Sequence, residues 1–371
     1  MGRRYSPVEG LVSRQLTPQK EFWAGKSVVL TGHTGFKGAW LAKWLTSLGA
    51  RVFGLSLGPI PGKSLYALGE APDCHREFEV DLRDQSETKA ALDACAPDIV
   101  LHLAAQSLVR YSYREPVETL ATNIMGTAHI LDALRDSATC RSIVCVTSDK
   151  CYENREWLWA YRENDAMGGH DPYSGSKGAA ELVISSLRRS FFSGTQTGVA
   201  SVRAGNVIGG GDWAEDRLIP DCIRAFEAGE PVVIRNPLAT RPWQHVLEPL
   251  CGYLLLAQRL HQGDEGFDEG WNFGPQSSDV AQVGTIVDSM CDLWGPTASF
   301  HRSDADEAHE AMALNVDSAK AMRHLDWAPR LRLNQALEWT VGWYRRQADG
   351  ETAHSLCLEQ INRYMELGHD T

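Results

Sequence analysis

An α/β fold with a doubly wound parallel sheet and a smaller C-terminal domain is what this sequence predicts, on three observations. Short apolar strands alternate with amphipathic helices from residue 27 onward, a glycine-rich turn follows the first strand, and the pattern changes past about residue 206. Strands buried on both faces read as continuous apolar runs, and strand–helix alternation means parallel pairing.

The elements follow in chain order. Ser27–Thr31 is a short apolar strand that runs into glycines. Trp40, Leu41, Trp44, Leu45 and Leu48 then recur at helical spacing, and Gly49 supplies the stop. Val52–Leu55, Asp98–Leu103, Ser142–Thr147 and Val199–Val202 are further strands, with helices over about Val117–Leu134 and Tyr173–Phe192. Beyond Asn206, glycines, prolines and tryptophans cluster and the strands become short. The expected division is a tail over 1–25, a first domain over 26–205 to which the chain returns around 244–275, and a second domain comprising most of 206–371.

Composition narrows the function. Of the 371 residues, 43% are hydrophobic and 23% charged, ordinary for a globular protein. A net charge of -12 offers no basic field for nucleic acid or an anionic membrane, so an anionic substrate needs a local arginine cluster. Nine cysteines without a CxxC pair read as reduced thiols of a cytoplasmic protein, and no metal is expected. No apolar run reaches membrane-spanning length, and the polar first 22 residues lack a signal-peptide core. Met1–Ser6 fits a myristoylation pattern, which we read as coincidence.

After the first strand come Gly32, His33, Thr34, Gly35, Phe36, Lys37 and Gly38. Gly32 permits the tight turn, Gly35 lets backbone approach a pyrophosphate, and Gly38 lets helix pack on strand. The pyrophosphate then rests on the helix N-terminus. The first domain is therefore a Rossmann-type dinucleotide-binding unit. The acidic residue usual at the end of the second strand is replaced by Leu55-Ser56-Leu57-Gly58, and no arginine pair marks a 2′-phosphate, so NAD is expected. Asp81 with Leu82 reads either as an adenine contact or as a plain helix cap.

Tyr173 and Lys177 form a Tyr-x-x-x-Lys pair on one helix face. A lysine ammonium beside a phenol lowers the phenol pKa, and such a tyrosine takes a proton from a hydroxyl while hydride leaves the same carbon. Thr147, Ser148, Asp149 and Lys150 end the strand before that helix, at the sheet edge where doubly wound folds do chemistry.

On these residues the chain resembles the nucleotide-sugar 4,6-dehydratases, within the extended short-chain dehydrogenases. The likeness runs through Thr31–Trp40, His102–Arg110, Thr147–Trp157, Tyr161–Gly178, Val202–Pro220 and Ile234–Pro249. Ser148-Asp149-Lys150 resembles the branch acting on CDP-glucose, where the dTDP-glucose branch carries Thr-Asp-Glu. The resemblance implies that Tyr173 takes the proton from the hydroxyl on carbon 4, Lys150 removes the hydrogen on carbon 5, Asp149 protonates the hydroxyl leaving carbon 6, and Thr147 orients the sugar. Ser148 and Lys177 complete the implied catalytic set. It also implies cofactor contacts by Leu103, Ala104, Ala105, Gln106, Thr122 and Arg203. Substrate contacts are implied for Arg110, Asn206, Arg217, Leu218, Ile234, Arg235, Arg241, His245 and His309, the arginines holding the diphosphate. His245 reads equally as a packed core residue. A homodimer through the helices near Val117 and Tyr173 is implied as well. An epimerase, a dehydratase for another sugar nucleotide, and an inactive nucleotide-binding scaffold are the alternatives. Lys150 argues against the epimerase, and the intact Tyr173, Lys177 and Asp149 argue against the scaffold.

Overall fold

The computed structural model describes residues 17–58, 62–69, 73–234, 236–302 and 313–367. The Met1–Ser6 pattern, Arg235 and His309 lie outside the described residues.

Among the described residues twelve strands follow in chain order: β1 Ser27–Thr31, β2 Arg51–Ser56, β3 Arg76–Glu79, β4 Ile99–His102, β5 Ser142–Val146, β6 Gly198–Ala204, β7 Asn206–Ile208, β8 Val232–Ile234, β9 Thr240–His245, β10 Gly270–Phe273, β11 Val280–Gln282 and β12 Phe300–Arg302. Seven of them form one parallel sheet in the order β10-β6-β5-β4-β1-β2-β3. Side chains alternate between its two faces, so each strand feeds two cores. Val28, Leu30, Ile99, Leu101 and Val144 enter one core, while Val29, Val100, Ile143 and Cys145 enter the other. That two-sided burial is why the strands read as unbroken apolar runs.

One edge of the sheet has no counterpart among the expected strands, and the other falls inside the expected return of the chain over 244–275. β3 is Arg-Glu-Phe-Glu, an exposed polar edge strand without apolar periodicity. β10 arrives from far downstream, after the chain has recrossed through the Leu247–Gln262 helix, which packs on the sheet. The smaller sheets, β11-β9-β7 and β12-β8, belong to the second half.

Contacts cross two of the expected boundaries. The chain joins the core before residue 26, because Trp23 of the short Lys20–Trp23 helix is fully buried. The C-terminal helix Ala353–Leu367 belongs with the first half, lying against Phe36–Ser47, where Trp44 meets Tyr364 edge-on at 5.8 Å. Trp40 on that same N-terminal helix donates from Nε1 to Gly210 O at 2.8 Å, and Gly210 packs its bare Cα against Trp343. One apolar core therefore runs through both halves.

Candidate active site

The phosphate cradle is built from backbone. Gly32 has φ +72° and donates its N–H to Leu55 O at 2.7 Å, pinning the turn to β2. A Cβ at Gly32 would sit 2.8 Å from the Ala104 backbone, and one at Gly38 would sit 2.0 Å from Gly32 O. The helix Phe36–Ser47 starts at Gly35 with no side chain capping it. Its first N–H groups and dipole are thus aimed at the turn, as an anionic group requires. Thr31 Oγ1 accepts from Leu103 N at 3.1 Å and Ala104 N at 3.0 Å, so the segment Leu103–Gln106 is moored beside the cradle. Ala105 lies half-buried in that segment.

Gln106 spends its amide within the loop, donating to Leu108 O and Thr119 Oγ1. Asn123, a residue absent from the sequence reading, is fully buried next to Thr122. It accepts from Gln106 N and donates to Gln106 O and to Ser176 Oγ at 2.8 Å. It ties the cradle to the catalytic helix. Asp81 is no helix cap: Asp84 caps Gln85–Cys95, and Asp81 instead chelates Arg83, which holds its carboxyl below the usual range. Leu82 is buried, and its carbonyl lies 2.8 Å from His129 Nδ1.

The helix Pro172–Leu187 carries Tyr173 and Lys177. Asp171 caps it by accepting from Ser174 N, and Pro172 occupies the first turn, where its missing N–H costs nothing. Tyr173, Lys177, Ser148 and Asp149 are all buried. The phenol bonds to Ser148 and feels Asp149 and Arg217, and burial pushes it up to about 12. Burial brings Lys177 down to about 8, opposed by Glu181, and its ammonium donates to Val146 O at 3.3 Å. The lowering expected of Tyr173 is therefore not found in the protein alone, because desolvation of the phenolate outweighs the cations around it.

Asp149 is 3% exposed. Its Oδ1 accepts from Ser148 Oγ at 3.1 Å and its Oδ2 has no hydrogen-bond partner. Burial pushes its carboxyl up, against the pull of Lys150, Ser148, Arg241 and Lys37. Gly205 leaves the space beside Oδ2 open, since a Cβ there would lie 2.9 Å from it. Lys37 joins this group: burial, with Arg217 and Lys177 nearby, lowers it to about 8.

Thr147 differs from expectation. It donates its one hydroxyl hydrogen to Glu181 Oε1 at 2.5 Å, so it meets a sugar only as an acceptor. Glu181 stands four residues after Lys177 on the same helix and forms a bidentate pair with Arg203 at 2.9 and 2.8 Å, both residues 4% exposed. Arg203 also donates to Tyr152 Oη and Glu163 O. Arg203 thus commits four of its five N–H donors inside the protein, as a buried structural cation does.

Among the expected substrate residues, Arg217 donates to Asp212 Oδ2 and Ser107 Oγ, both at 3.0 Å, and acts on Tyr173 and Lys37. Arg241, buried on β9, acts on Asp149. Arg110 faces Asp216 at 3.4 Å. Asn206 opens β7 and Leu218 opens the Leu218–Ala228 helix, both half-buried. Ile234 turns its side chain into the core, so only its backbone is free to meet a ligand. His245 is corrected outright: it is fully buried between Trp40 and Trp339, and burial keeps it neutral, at about 3.

Residues 29–340 match the GDP-mannose 4,6 dehydratase family. The chain is 49% identical over 351 residues to the CDP-glucose 4,6-dehydratase of Salmonella typhimurium, covering 93% of this chain and 98% of that one. It is 26% identical over 332 residues to the dTDP-glucose 4,6-dehydratase of Xanthomonas campestris, covering 85% and 92%. Among solved structures, the dTDP-glucose 4,6-dehydratase DesIV of Streptomyces venezuelae, determined with NAD bound, superposes with a TM-score of 0.72 at 22% identity. That match covers 87% of this chain and 98% of the other.

Proposed function

The chain belongs to the GDP-mannose 4,6 dehydratase family, and on that footing we propose that it dehydrates CDP-glucose to CDP-4-keto-6-deoxyglucose. The observation that carries the reading is Asp149. It is a buried carboxyl pushed above its usual range, beside Lys150 and bonded through Ser148 to the same group as Tyr173. A carboxyl whose burial favours its protonated form, next to a redox tyrosine, suits the elimination of a hydroxyl, whereas epimerisation at carbon 4 needs only the tyrosine and a cofactor. The cytidine preference is supported by 49% identity to a CDP-glucose enzyme against 26% to a dTDP-glucose enzyme.

The residues divide the work. Tyr173 takes the proton from the hydroxyl on carbon 4. The resulting ketone acidifies the hydrogen on carbon 5, which Lys150 removes, while Asp149 delivers its proton to the hydroxyl leaving carbon 6. Bound NAD would supply the hydride acceptance at carbon 4 and the hydride return at carbon 6. The glycine turn and the uncapped Phe36–Ser47 helix fit its pyrophosphate. At the end of β2, Thr34, Ser56 and a His33 kept neutral by burial offer uncharged groups, which suit an unphosphorylated ribose. Arg217 and Arg241 hold the substrate diphosphate, for which forked guanidinium groups are suited.

A homodimer is part of the proposal. The helices over 109–134 expose Val117, Leu120 and Met125, and the neighbouring catalytic helix exposes Leu182. Two copies meeting on these faces would cover all four. Nine free cysteines accord with a reducing cytoplasm, and no helix among the described residues is long and apolar enough to cross a membrane.

The test is incubation with CDP-, dTDP-, UDP- and GDP-glucose. CDP-glucose should give the 4-keto-6-deoxy product fastest. In a mixture of unlabelled and carbon-4-deuterated substrate, the label should reach carbon 6 of the same molecule, and carbon 5 should take up solvent hydrogen. Label returning to carbon 4 would make the protein an epimerase.

A further inference from the structure

His33, Cys74 and Glu77 are brought together by the pairing of β2 with β3, although 41 and 44 residues separate the histidine from the other two. The sequence gives no hint of this grouping, and the proposed reaction uses neither Cys74 nor Glu77 and gives the Nε2 side of His33 no role. His33 Nε2, Cys74 Sγ and a Glu77 carboxylate oxygen lie within 4.8 Å of one another. His33 is 3% exposed, and its Nε2 is a buried nitrogen with no hydrogen-bond partner, 3.5 Å from Glu77 Oε1. A buried polar atom left unsatisfied calls for an explanation, and an unplaced ion is one.

The surroundings hold all three groups in place. His33 Nδ1 is 3.3 Å from Ser56 Oγ, so a proton on Nδ1 donated there leaves the Nε2 lone pair facing Cys74 and Glu77. Tyr66 Oη donates to Glu77 Oε2 at 2.7 Å, leaving Oε1 turned toward His33. The imidazole ring lies against Gly54, where a Cβ would come within 2.6 Å of it. Metal ligands are oriented by outer hydrogen bonds of this kind. Glu77 is exposed and gives an ion a way in from solvent, while Cys74 and His33 form the buried floor.

We propose that His33 Nε2, Cys74 Sγ and the Glu77 carboxylate form a binding site for a zinc-class divalent transition metal, with water as the fourth ligand. A thiolate and an imidazole select such ions over calcium or magnesium. Tetrahedral zinc holds its ligand atoms about 3.3–3.6 Å apart, so side-chain rotations of about 1 Å close the triad. The thiol proton passes to solvent when the Cys74 sulfur binds.

The test is titration of the full-length protein with Co2+, read by the near-ultraviolet thiolate-to-metal band. One equivalent should raise the band, and Zn2+ should bleach it by displacement. Cys74→Ser should abolish it. Glu77→Gln should keep the band but weaken affinity by at least about tenfold, since one of three ligands is lost and even an outer partner is worth that much. No band in the unmodified protein, or a band that survives Cys74→Ser, would overturn the site. Unchanged affinity in Glu77→Gln would remove the carboxylate from it.

Discussion

Replacing Arg203 with methionine tests whether the Glu181–Arg203 pair is framework or cofactor site. Glu181 accepts four hydrogen bonds: Thr147 Oγ1 at 2.5 Å, Ser201 Oγ at 2.7 Å, and Arg203 Nε and Nη2 at 2.9 and 2.8 Å. Arg203→Met removes the two charge-assisted ones and strands a carboxylate that is 4% exposed. Breaking a buried pair in this way costs about 3–5 kcal/mol. Glu181→Gln strands the guanidinium instead and should cost a similar amount. The double variant carries neither charge, and its glutamine still meets Thr147 and Ser201. It should cost little more than one single change, a coupling of about 2–3 kcal/mol. The assay is urea unfolding followed by fluorescence of the twelve tryptophans. NAD titration of the folded double variant should stay within about twofold of the parent. Additive losses, with coupling under about 0.5 kcal/mol, would refute the pairing. A tenfold loss of NAD affinity in the folded double variant would return Arg203 to the cofactor.

Three further outcomes are expected. Asp149→Asn should reduce bound NAD on addition of CDP-glucose and accumulate 340 nm absorbance without releasing product, whereas Tyr173→Phe should do neither; normal turnover of Asp149→Asn would remove its role as the acid. Arg241→Ala should weaken CDP binding by about 2–5 kcal/mol with NAD binding intact, measured by calorimetry, and unchanged CDP affinity would take Arg241 out of the diphosphate site. Glu248, fully buried on the returning helix, is raised to about 7 by burial, against bonds from Tyr364, Leu331 and Arg330. Unfolded, it titrates near 4.3. The folded chain thus holds a proton that the unfolded one has lost, and stability falls as pH rises between these values, by about 4 kcal/mol in full. Urea midpoints at pH 5 and pH 8 should drop in the parent and stay nearer level in Glu248→Gln; parallel curves would contradict this.

How far the sequence could be read follows from whether each signal is local. β1, β4, β5 and β6 announced themselves because both their faces are buried. The cradle, Tyr173 and Lys177 were legible because chemistry needs those residue types at fixed short spacing. β3 was not, since an edge strand of Arg-Glu-Phe-Glu has nothing to alternate. Glu181 had a usable signal that went unread: it shares a helix face with Lys177, and Arg203 in an apolar strand demanded a buried partner. His245 misled because a histidine in a matching segment looks the same whether it meets ligand or tryptophan. The expected fall in the Tyr173 pKa failed because spacing reports proximity and says nothing of solvent exclusion.

The core shared by the Phe36–Ser47 and Ala353–Leu367 helices has a consequence for how the protein comes into being. The helix whose N-terminus forms the cradle rests on residues translated long after it. A nascent chain halted near residue 205 would carry every glycine of the turn yet expose Trp40 and Trp44 to water, without Gly210, Trp343 or Tyr364 to cover them. Competence to hold a dinucleotide thus waits on residues of the second half and is not acquired domain by domain. Until the Ala353–Leu367 helix docks, the nascent chain carries exposed apolar surface of the kind that chaperones shield.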